Sequence, residues 1–200
     1  MTEFILNLIA WGGYVGIFIL MTLENVFPPI PSEVIMGFGG MAVARGDMDM
    51  TPLLIVATAG TTLGNVFWYG VGRWIGIARI RPFVERHGRW LTLTWADVEK
   101  LDRFFRRHGL WVVFVFRFFP TFRTMISLPA GMAKMGLPRF LAATFIGSAI
   151  WNAVLAYAGL LLGSQFQQLQ VYVGPVAIGT SVVAGAIWAY RVVTWKRRVR

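Results

Sequence analysis

The sequence contains no cysteine, only two histidines, and few charged residues for its length. The absence of cysteine excludes disulfide bonds and thiolate chemistry. Because no histidine, aspartate and glutamate cluster at metal-ligand spacing, we expect neither a dedicated metal site nor a cofactor. Charged residues make up 14% of the chain, whereas a soluble domain usually carries about a quarter. This shortage of charge favours an integral membrane protein.

Long uncharged windows are the main positive feature of the sequence. They cover residues 4–23, 53–72, 141–163 and 171–190. Each approaches the ~20 apolar residues that a membrane-spanning helix needs. The first window lacks the basic flank of a cleavable signal peptide, and bulky residues follow it. We therefore predict a single all-α integral membrane domain over residues 1–200.

Basic residues are distributed unevenly along the chain. Residues 1–72 contain one, Arg45, whereas residues 73–110 contain nine and residues 191–200 contain five. The positive-inside rule places both basic segments, and hence the C-terminus, on the cytoplasmic side of the membrane. The net charge of +10 is attributed to these segments near anionic lipid, and we predict no binding to nucleic acid.

Segment 111–136 is apolar, but Pro120, Pro129 and Gly131 interrupt it. Because the basic segments on either side of it are both cytoplasmic, the intervening chain must cross the membrane an even number of times. The last two uncharged windows already supply two crossings. We therefore predict that 111–136 enters and leaves on one side as a re-entrant hairpin, which requires a protein or cavity environment around its irregular backbone.

Segment 24–46 has a similar character, since Pro28, Pro29 and Pro31 break an otherwise apolar run. The window after it ends at the cytoplasmic basic segment, so its other end lies outside. The sequence therefore predicts a second re-entrant hairpin at 24–46 that enters from the opposite face.

Matching residues in the two halves indicate an internal repeat. An offset of 87 residues aligns Gly60 with Gly147, Asn65 with Asn152, Gly72 with Gly159 and Gly76 with Gly163. An offset of 92 aligns Pro28 with Pro120 and Gly39 with Gly131. Two inverted repeats with paired broken segments are typical of transporters whose site lies at the midplane.

The predicted organisation has five parts. They are repeat one at about 10–76, a basic cytoplasmic or interfacial linker at 77–110, repeat two at about 111–163, a transmembrane helix at 171–190 and a basic tail at 191–200.

Arg117 and Arg123 lie in the second hairpin, where an unpaired charge is costly. Six helical steps would place them on roughly opposite sides of an unbroken helix. A break at Pro120 lets them converge on one cavity, and Thr121 is positioned to cap a half-helix that begins after the break. Two guanidinium groups beside a helix N-terminus would form a phosphate site.

Glu24 and Glu33 lie in the first hairpin, and two interpretations remain open. In one, they are structural ion-pair partners of Arg117 and Arg123. In the other, they exchange protons during a transport cycle, because burial favours a neutral carboxyl group whereas a neighbouring arginine favours a carboxylate.

Further polar and small residues are assigned supporting roles. Asn65 and Asn152 would form interhelical hydrogen bonds or, together with Tyr69, line a cavity. The residues expected to shape the hairpins are Pro28, Pro31, Pro120, Thr121 and Gly131. The spacing of Gly60, Gly64, Gly72 and Gly76 predicts close helix packing. No Ser-His-Asp or Cys-His set lies in the membrane region, so we predict no enzyme.

The motifs "ENVFPPIPSE", "GTTLGNVFWYGVGRWIG" and "FRFFPTFRTMISLPAGMAKMGLPRF" resemble those of the DedA membrane proteins, which share the VTT domain. The resemblance covers roughly residues 10–165. It implies two opposed re-entrant hairpins and lipid translocation linked to the proton-motive force. It also implies essential roles for Glu24, Glu33, Arg117 and Arg123. The chain departs from the family in having Asn65 where an aspartate is common, which puts that aspartate's role in proton handling in doubt here.

The function predicted from these residues is a proton-coupled flippase for a phosphate-bearing lipid. The resemblance points to undecaprenyl phosphate as that lipid and to envelope homeostasis as the process. The alternatives are a phospholipid scramblase or phosphatidylethanolamine translocase, a proton-coupled transporter of small solutes, and a membrane scaffold that transports nothing. The oligomeric state stays open, and a homo-oligomer is one option.

Overall fold

The computed structural model describes residues 2–27, 31–91, 94–119 and 122–162, with side chains described from residue 12 onwards except for 87–91. These residues are almost entirely helical, and no strand occurs among them. The helices are α1 (Thr2–Val26), α2 (Ser32–Ala44), α3 (Met50–Leu91), α4 (Trp95–Phe116), α5 (Phe122–Met125), α6 (Ser127–Met132) and α7 (Leu137–Leu162). The prediction of an all-α protein is confirmed.

Two of the long helices are broken at glycine. Gly13 in α1 has φ 50° and ψ −129°, and Gly76 in α3 has φ 65° and ψ 159°. These conformations are strained for residues that carry a Cβ atom. Gly76 thus separates the apolar part of α3 from its basic part, close to the predicted start of the linker at residue 77. Among the described residues, a Cβ atom at Gly76 would meet nothing within 4 Å, so no described contact supports the predicted packing role of Gly76.

Two helices of the described part are long and apolar enough to cross a membrane, Met50–Arg86 and Leu137–Leu161. They contain the predicted window 53–72 and almost all of 141–163. Helix α1 (Thr2–Val26) contains the predicted window 4–23, and the part of it whose side chains are described, Gly12–Val26, is apolar. The predicted helix 171–190 and tail 191–200 lie outside the described residues.

Each predicted hairpin coincides with a change of helix. Segment 24–46 covers the end of α1 and all of α2, and 111–136 covers the end of α4 together with α5 and α6. Pro31 occupies the N-cap of α2 with φ −79°. Pro28 and Pro120 lie outside the described residues. The depth of the two hairpins in the membrane and their opposite orientation stay predictions.

The short helices pack closely against the long ones. A Cβ atom added at Gly40 in α2 would overlap the carbonyl oxygen of Ala156 in α7. A Cβ atom at Gly131 in α6 would overlap the carbonyl oxygen of Tyr69 in α3 in the same way. Only glycine allows backbones to approach this closely. The helix of each hairpin is therefore held against the long helix of the other half of the chain.

Two apolar clusters fill the interior. The first joins α1, α2, α3 and α7 through Ile17, Leu20, Met21, Ile35, Met36, Phe38, Met41, Leu53, Ala57 and Ala156. The second joins α3, α4, α6 and α7 through Tyr69, Phe105, Val113, Ala130, Ala133, Phe140 and Ala143. Both long helices, α3 and α7, contribute to both clusters and so connect the two hairpins.

The distribution of polarity is that of a protein in lipid. Large apolar side chains are exposed along the long helices, among them Ile55, Leu63, Phe67, Val154 and Leu161. Buried polar side chains are also numerous, namely Glu24, Asn25, Ser32, Thr58, Thr61, Asn65, Arg117, Arg123, Ser127, Thr144, Ser148 and Asn152. In water an extended apolar surface of this kind would promote aggregation. In a bilayer it contacts acyl chains, and the polar residues turn to the interior.

Candidate functional site

Arg123 in α5 forms a buried ion pair with Glu24 at the end of α1. Both residues are 5% exposed, and Nη2 of Arg123 contacts Oε1 of Glu24. The same nitrogen donates to Oγ of Ser32, at the start of α2, over 2.6 Å. Arg123 thus joins the second hairpin to both arms of the first. A charge-assisted hydrogen bond in a dry interior is among the stronger polar contacts in proteins.

Arg117 lies at the end of α4 and is 1% exposed. Its Nη1 donates to the backbone carbonyl of Arg123 over 2.6 Å. Its Nη2 donates to Oγ of Ser127 over 3.2 Å and to Oγ1 of Thr144 over 2.9 Å. Its Nε has no hydrogen-bond partner, and within the described ranges no carboxylate forms an ion pair with it. Neutral oxygens therefore solvate Arg117 without compensating its charge.

The space that Arg117 occupies depends on two residues of α7. A Cβ atom at Gly147 would lie 2.9 Å from Cγ of Arg117, so a larger residue would displace the side chain. The guanidinium carbon of Arg117 lies 5.9 Å from the ring centroid of Phe140, which is within the range of a cation–π contact. These contacts fix the guanidinium inside the helix bundle.

A continuous chain of hydrogen bonds connects the two arginines. Asn25 donates through Nδ2 to Oε2 of Glu24. Nδ2 of Asn65 donates to Oδ1 of Asn25 over 2.7 Å, and Oγ of Ser127 donates to Oδ1 of Asn65 over 2.7 Å. Ser127 in turn accepts from Arg117. We call these seven residues the arginine network: Glu24, Asn25, Ser32, Asn65, Arg117, Arg123 and Ser127.

Glu33 lies outside the arginine network. It is half-buried in the first turn of α2, where a carboxylate is favourable because of the helix dipole. Its Oε1 is buried without a hydrogen-bond partner, and it forms no ion pair with any described residue. The interpretation that the two glutamates neutralise both arginines therefore describes Arg123 and Glu24 but not Arg117 and Glu33.

The charges of the arginine network do not balance. Two guanidinium groups are in the network, but one carboxylate, that of Glu24, contacts them directly. An oxyanion would supply the missing negative charge, since guanidinium groups bind phosphate with matching geometry. Because Arg117 and Arg123 are almost fully buried, the helices around them must separate before a headgroup can reach them.

Other predicted site residues have different surroundings. Asn152 is buried, and its Nδ2 donates to Oγ1 of Thr58 over 3.4 Å, whereas its Oδ1 has no partner in the described ranges. Tyr69 donates to the carbonyl of Met135 and stacks on Phe140 with centroids 4.5 Å apart. Gly131 serves the contact between α6 and α3. Pro28, Pro120 and Thr121 lie outside the described residues, so the predicted cap at Thr121 stays a prediction.

Sequence reasoning did not identify several members of the site. These are Asn25, Ser32, Ser127 and Thr144. Each is an uncharged polar residue in an apolar segment, and Asn25 and Ser32 directly adjoin the predicted glutamates. That adjacency was an available signal. It does not separate them from other serines and threonines that bond only to their own helix, as Thr62 does.

Comparisons with known proteins place this geometry in context. A family model described as the VTT domain matches residues 30–161. An "alkaline phosphatase-like protein" of Lactococcus lactis is 36% identical over 99% of this chain and 93% of its own length. "Undecaprenyl phosphate transporter A" of Staphylococcus aureus is 34% identical over 84% of this chain and 83% of its own length. The protein with the same name in Bacillus subtilis is 30% identical over 98% and 97%. No solved structure matches.

Proposed function

Because this chain belongs to the VTT-domain, or DedA, family of membrane proteins, we propose that it is a flippase that moves undecaprenyl phosphate between leaflets. Two relatives that align with most of the chain carry the name of an undecaprenyl phosphate transporter. The family and these names indicate a transporter, and the phosphatase-like name of another relative does not settle the reaction. We expect the chain in a bacterial cytoplasmic membrane with its C-terminus inside.

The uncompensated charge of Arg117 is the observation that carries this proposal. A buried guanidinium without a counterion is unfavourable, by about 2.5–3.5 kcal/mol on membrane-insertion scales. Arg117 binds the backbone carbonyl of Arg123, and the arginine network links the two guanidinium groups, so we infer that one ligand would engage both. A phosphate between them would offset the cost of burying its own charge and that of Arg117.

Glu24 gives the proposed cycle its proton step. In the described state, Glu24 occupies Arg123. Protonation of Glu24 would weaken this ion pair and free the guanidinium of Arg123 for the phosphate. Deprotonation would restore the pair and expel the phosphate. The proton and the lipid therefore act on the same arginine, which is the differential interaction that coupled transport requires.

The lipid tail needs no binding site of its own in this mechanism. Exposed apolar residues cover α3 and α7, among them Phe67 and Leu161. A prenyl chain would slide along such a surface while the headgroup crosses through the interior. The two hairpins would then expose the arginines to one leaflet at a time.

Glu33 favours a second candidate, a phosphatidylethanolamine translocase or general phospholipid scramblase. Its buried Oε1 lacks a partner, and it is the second acidic group of the first hairpin. A zwitterionic headgroup would place its phosphate on the arginines and its ammonium group on Glu33. Undecaprenyl phosphate has no ammonium group and would leave Glu33 unused.

Leaflet-to-leaflet movement in proteoliposomes tests these proposals. Labelled undecaprenyl phosphate and labelled phosphatidylethanolamine would be followed in parallel under an imposed proton gradient. The variants would be Arg123→Ala and Arg117→Gln, with Arg79→Gln as a matched control, since Arg79 is exposed and bonds only to a carbonyl of its own helix.

The expected result is movement of the prenyl lipid that is lost in both site variants and kept in the control. Equal movement of both lipids would establish the scramblase. If properly inserted protein moved neither lipid, the flippase would be rejected in favour of a small-solute transporter or a scaffold.

A further inference from the structure

A second basic site lies on α4, two turns before Arg117. A cavity of about 340 Å³ opens between residues 105–111 of α4 and the turn 133–136 that connects α6 to α7. Arg139, in the first turn of α7, completes its wall. The cavity belongs neither to the arginine network nor to any residue predicted to shape the hairpins.

The cavity is lined by basic residues. Arg107, His108, Lys134 and Arg139 border it and are exposed, and no acidic residue is among its described lining. Arg106 also borders it, but its Nε lies 2.9 Å from Oδ2 of Asp102. Arg107, Lys134 and Arg139 have no ion pair with any residue that the structure describes. Three cations without a described counterion therefore border one cavity.

The wall of the cavity is rigid. The carbonyl of Met135 accepts the hydroxyl of Tyr69, which itself accepts from Nη1 of Arg73 over 3.0 Å. A Cβ atom at Gly109 would lie 3.4 Å from Sδ of Met135 and 3.2 Å from the ring of Phe105. Glycine at this position lets the turn approach α4 while space remains beside it. These contacts therefore hold the turn that carries Lys134 against α3 and α4.

Lys134 has an unusual backbone conformation for a lysine. Its φ is 53°, and no other non-glycine residue of the described chain has positive φ. Its amide donates to the carbonyl of Gly131 over 2.9 Å, and the amide of Met135 donates to the carbonyl of Ala130 over 3.1 Å. This pattern ends α6 in the manner that usually requires glycine. The turn thus carries a cation where backbone preference favours glycine.

We propose that this cavity binds the phosphate of an anionic lipid headgroup at the membrane surface. The basic linker that forms one wall is the segment that the positive-inside rule assigns to the cytoplasm, where anionic headgroups attract clustered cations. Arg117 follows Gly109 by eight helical steps, a rise of about 12 Å. Phe140 contacts residues of both sites, since its ring stacks on Tyr69, which bonds to Met135 in the cavity wall, and lies 5.9 Å from the guanidinium carbon of Arg117. That the cavity receives the transported lipid on the cytoplasmic side rests on the proposed function. That the cavity binds an anionic headgroup does not.

Binding to the purified protein in phosphatidylcholine nanodiscs tests this inference. The probes are dioctanoyl phosphatidic acid, which carries a phosphomonoester headgroup, and inorganic phosphate. The cavity variant combines Lys134→Gly, Arg107→Gln and Arg139→Gln. The matched control combines Arg79→Gln, Arg86→Gln and Arg103→Gln, which removes the same charge from exposed positions outside the cavity. Lys134→Gly suits the local backbone, so the fold should survive it.

The expected result is that the cavity variant binds phosphatidic acid at least about tenfold more weakly, whereas the control changes it little. Equal weakening in both triple variants would show that only the net charge of the protein matters, and it would overturn the proposed site. Inorganic phosphate that bound as tightly as the lipid probe, with the same loss in the cavity variant, would overturn the lipid assignment in favour of a free anion.

Arg117→Gln separates this site from the buried one. The inference requires this variant to retain phosphatidic acid binding, even if it no longer moves lipid. Loss of binding in Arg117→Gln together with normal binding in the cavity variant would place the probe on the arginine network and refute the surface site. Surface binding without lipid movement in the wild type would leave this inference standing while the flippase fails.

Discussion

The two halves of the chain make the same helix contacts with different side chains. Gly40 approaches Ala156 as Gly131 approaches Tyr69. The two glycines are 91 residues apart, and the two partners are 87 apart. A second pair of contacts follows the same offsets, since Gly159 approaches Gly37 as Gly72 approaches Leu128. The contacts therefore pair Gly131 with Gly40, one position from the Gly39 that sequence matching indicated.

A third contact extends the comparison to α1 and α4. Gly60 meets the carbonyl of Phe18 and the Cβ of Met21. Gly147 meets the carbonyl of Phe114 and the Cβ of Arg117. Arg117 thus occupies in the second half the position that Met21 has in the first.

The chemistry of the two halves is unequal although the packing is shared. By the same offsets, Ser32 corresponds to Arg123, and these two residues are hydrogen-bonded to each other. The first half supplies the carboxylates and the second half supplies both guanidinium groups. Duplicated backbone packing therefore holds a site whose ligand-binding groups come mainly from one half. Each of the following experiments challenges one part of this comparison.

The largest effect is expected from Gly40→Val and Gly131→Val. Each side chain would overlap a backbone carbonyl, which cannot move aside as a flexible side chain can. If the packing is shared, both variants should lose about 3 kcal/mol or more of stability. Thermal unfolding in detergent measures this, and Gly70→Ala is the control because a Cβ atom there meets no described residue within 4 Å. Tolerance of one variant but not the other would break the equivalence of the halves.

Arg117→Lys should abolish most lipid movement despite its retained charge. An ammonium group cannot reach the Arg123 carbonyl, Ser127 and Thr144 with the geometry of the guanidinium fork. Losing two charged hydrogen bonds, at about 1.5–3 kcal/mol each, predicts a rate reduction on the order of 100- to 10,000-fold. The proteoliposome assay measures it, with Arg79→Lys as control. A rate near that of the wild type would show that charge alone suffices.

Glu24→Gln should remove the pH response of transport. In the wild type, acidification protonates Glu24 and frees Arg123, so the rate should rise as pH falls. The glutamine variant cannot pair as an anion, so its rate should stay flat across the same range. Glu33→Gln is the comparison, since Glu33 contacts neither arginine. A flat profile in Glu33→Gln with a normal one in Glu24→Gln would transfer the proton step to Glu33.

The smallest difference is expected between Asn65→Ala and Asn152→Ala. Within the described ranges, Asn65 makes three hydrogen bonds, to Asn25, Thr61 and Ser127, whereas Asn152 makes one at 3.4 Å. We expect Asn65→Ala to cost about 2–3 kcal/mol and Asn152→Ala about 1 kcal/mol or less. Unfolding of both variants under identical conditions checks the order. Equal losses would mean that the two asparagines are equally engaged in the native protein.

Features that depend on neighbouring residues in the sequence were predictable, whereas contacts between residues far apart in the sequence were not. Apolar windows and their proline interruptions are local, so the helices α3 and α7 and the breaks between helices in segments 24–46 and 111–136 were predictable. The re-entrant course of these two segments stays a prediction. Ionisable residues in apolar segments are rare, so Glu24, Arg117 and Arg123 stood out. The roles of Ser32 and Thr144 depend on which helices pack together. Their hydrogen-bond partners, Arg123 and Arg117, lie 91 and 27 positions away in the sequence. No local pattern encodes such crossings.

Gly76 shows a different limit. The spacing of Gly60, Gly64 and Gly72 continues to Gly76, yet the first three meet other helices and the fourth breaks its own. The sequence alone does not distinguish a glycine that permits close helix approach from a glycine that permits a positive φ. Only the surrounding backbone distinguishes them.

The bond from Arg117 to the backbone carbonyl of Arg123 has a consequence for an idle transporter. That bond joins the backbone of Arg123, in the predicted second hairpin, to the guanidinium group that the proposed lipid phosphate would bind. An apex that opened without cargo would leave a buried carbonyl and a guanidinium both unsatisfied, which is the most costly arrangement for such groups. In the described form the carbonyl of Arg123 and Nη1 of Arg117 satisfy each other, and in the proposed cycle a bound phosphate would replace that carbonyl as the acceptor. On the proposed function, this bond would therefore oppose opening of the site before a lipid phosphate arrives.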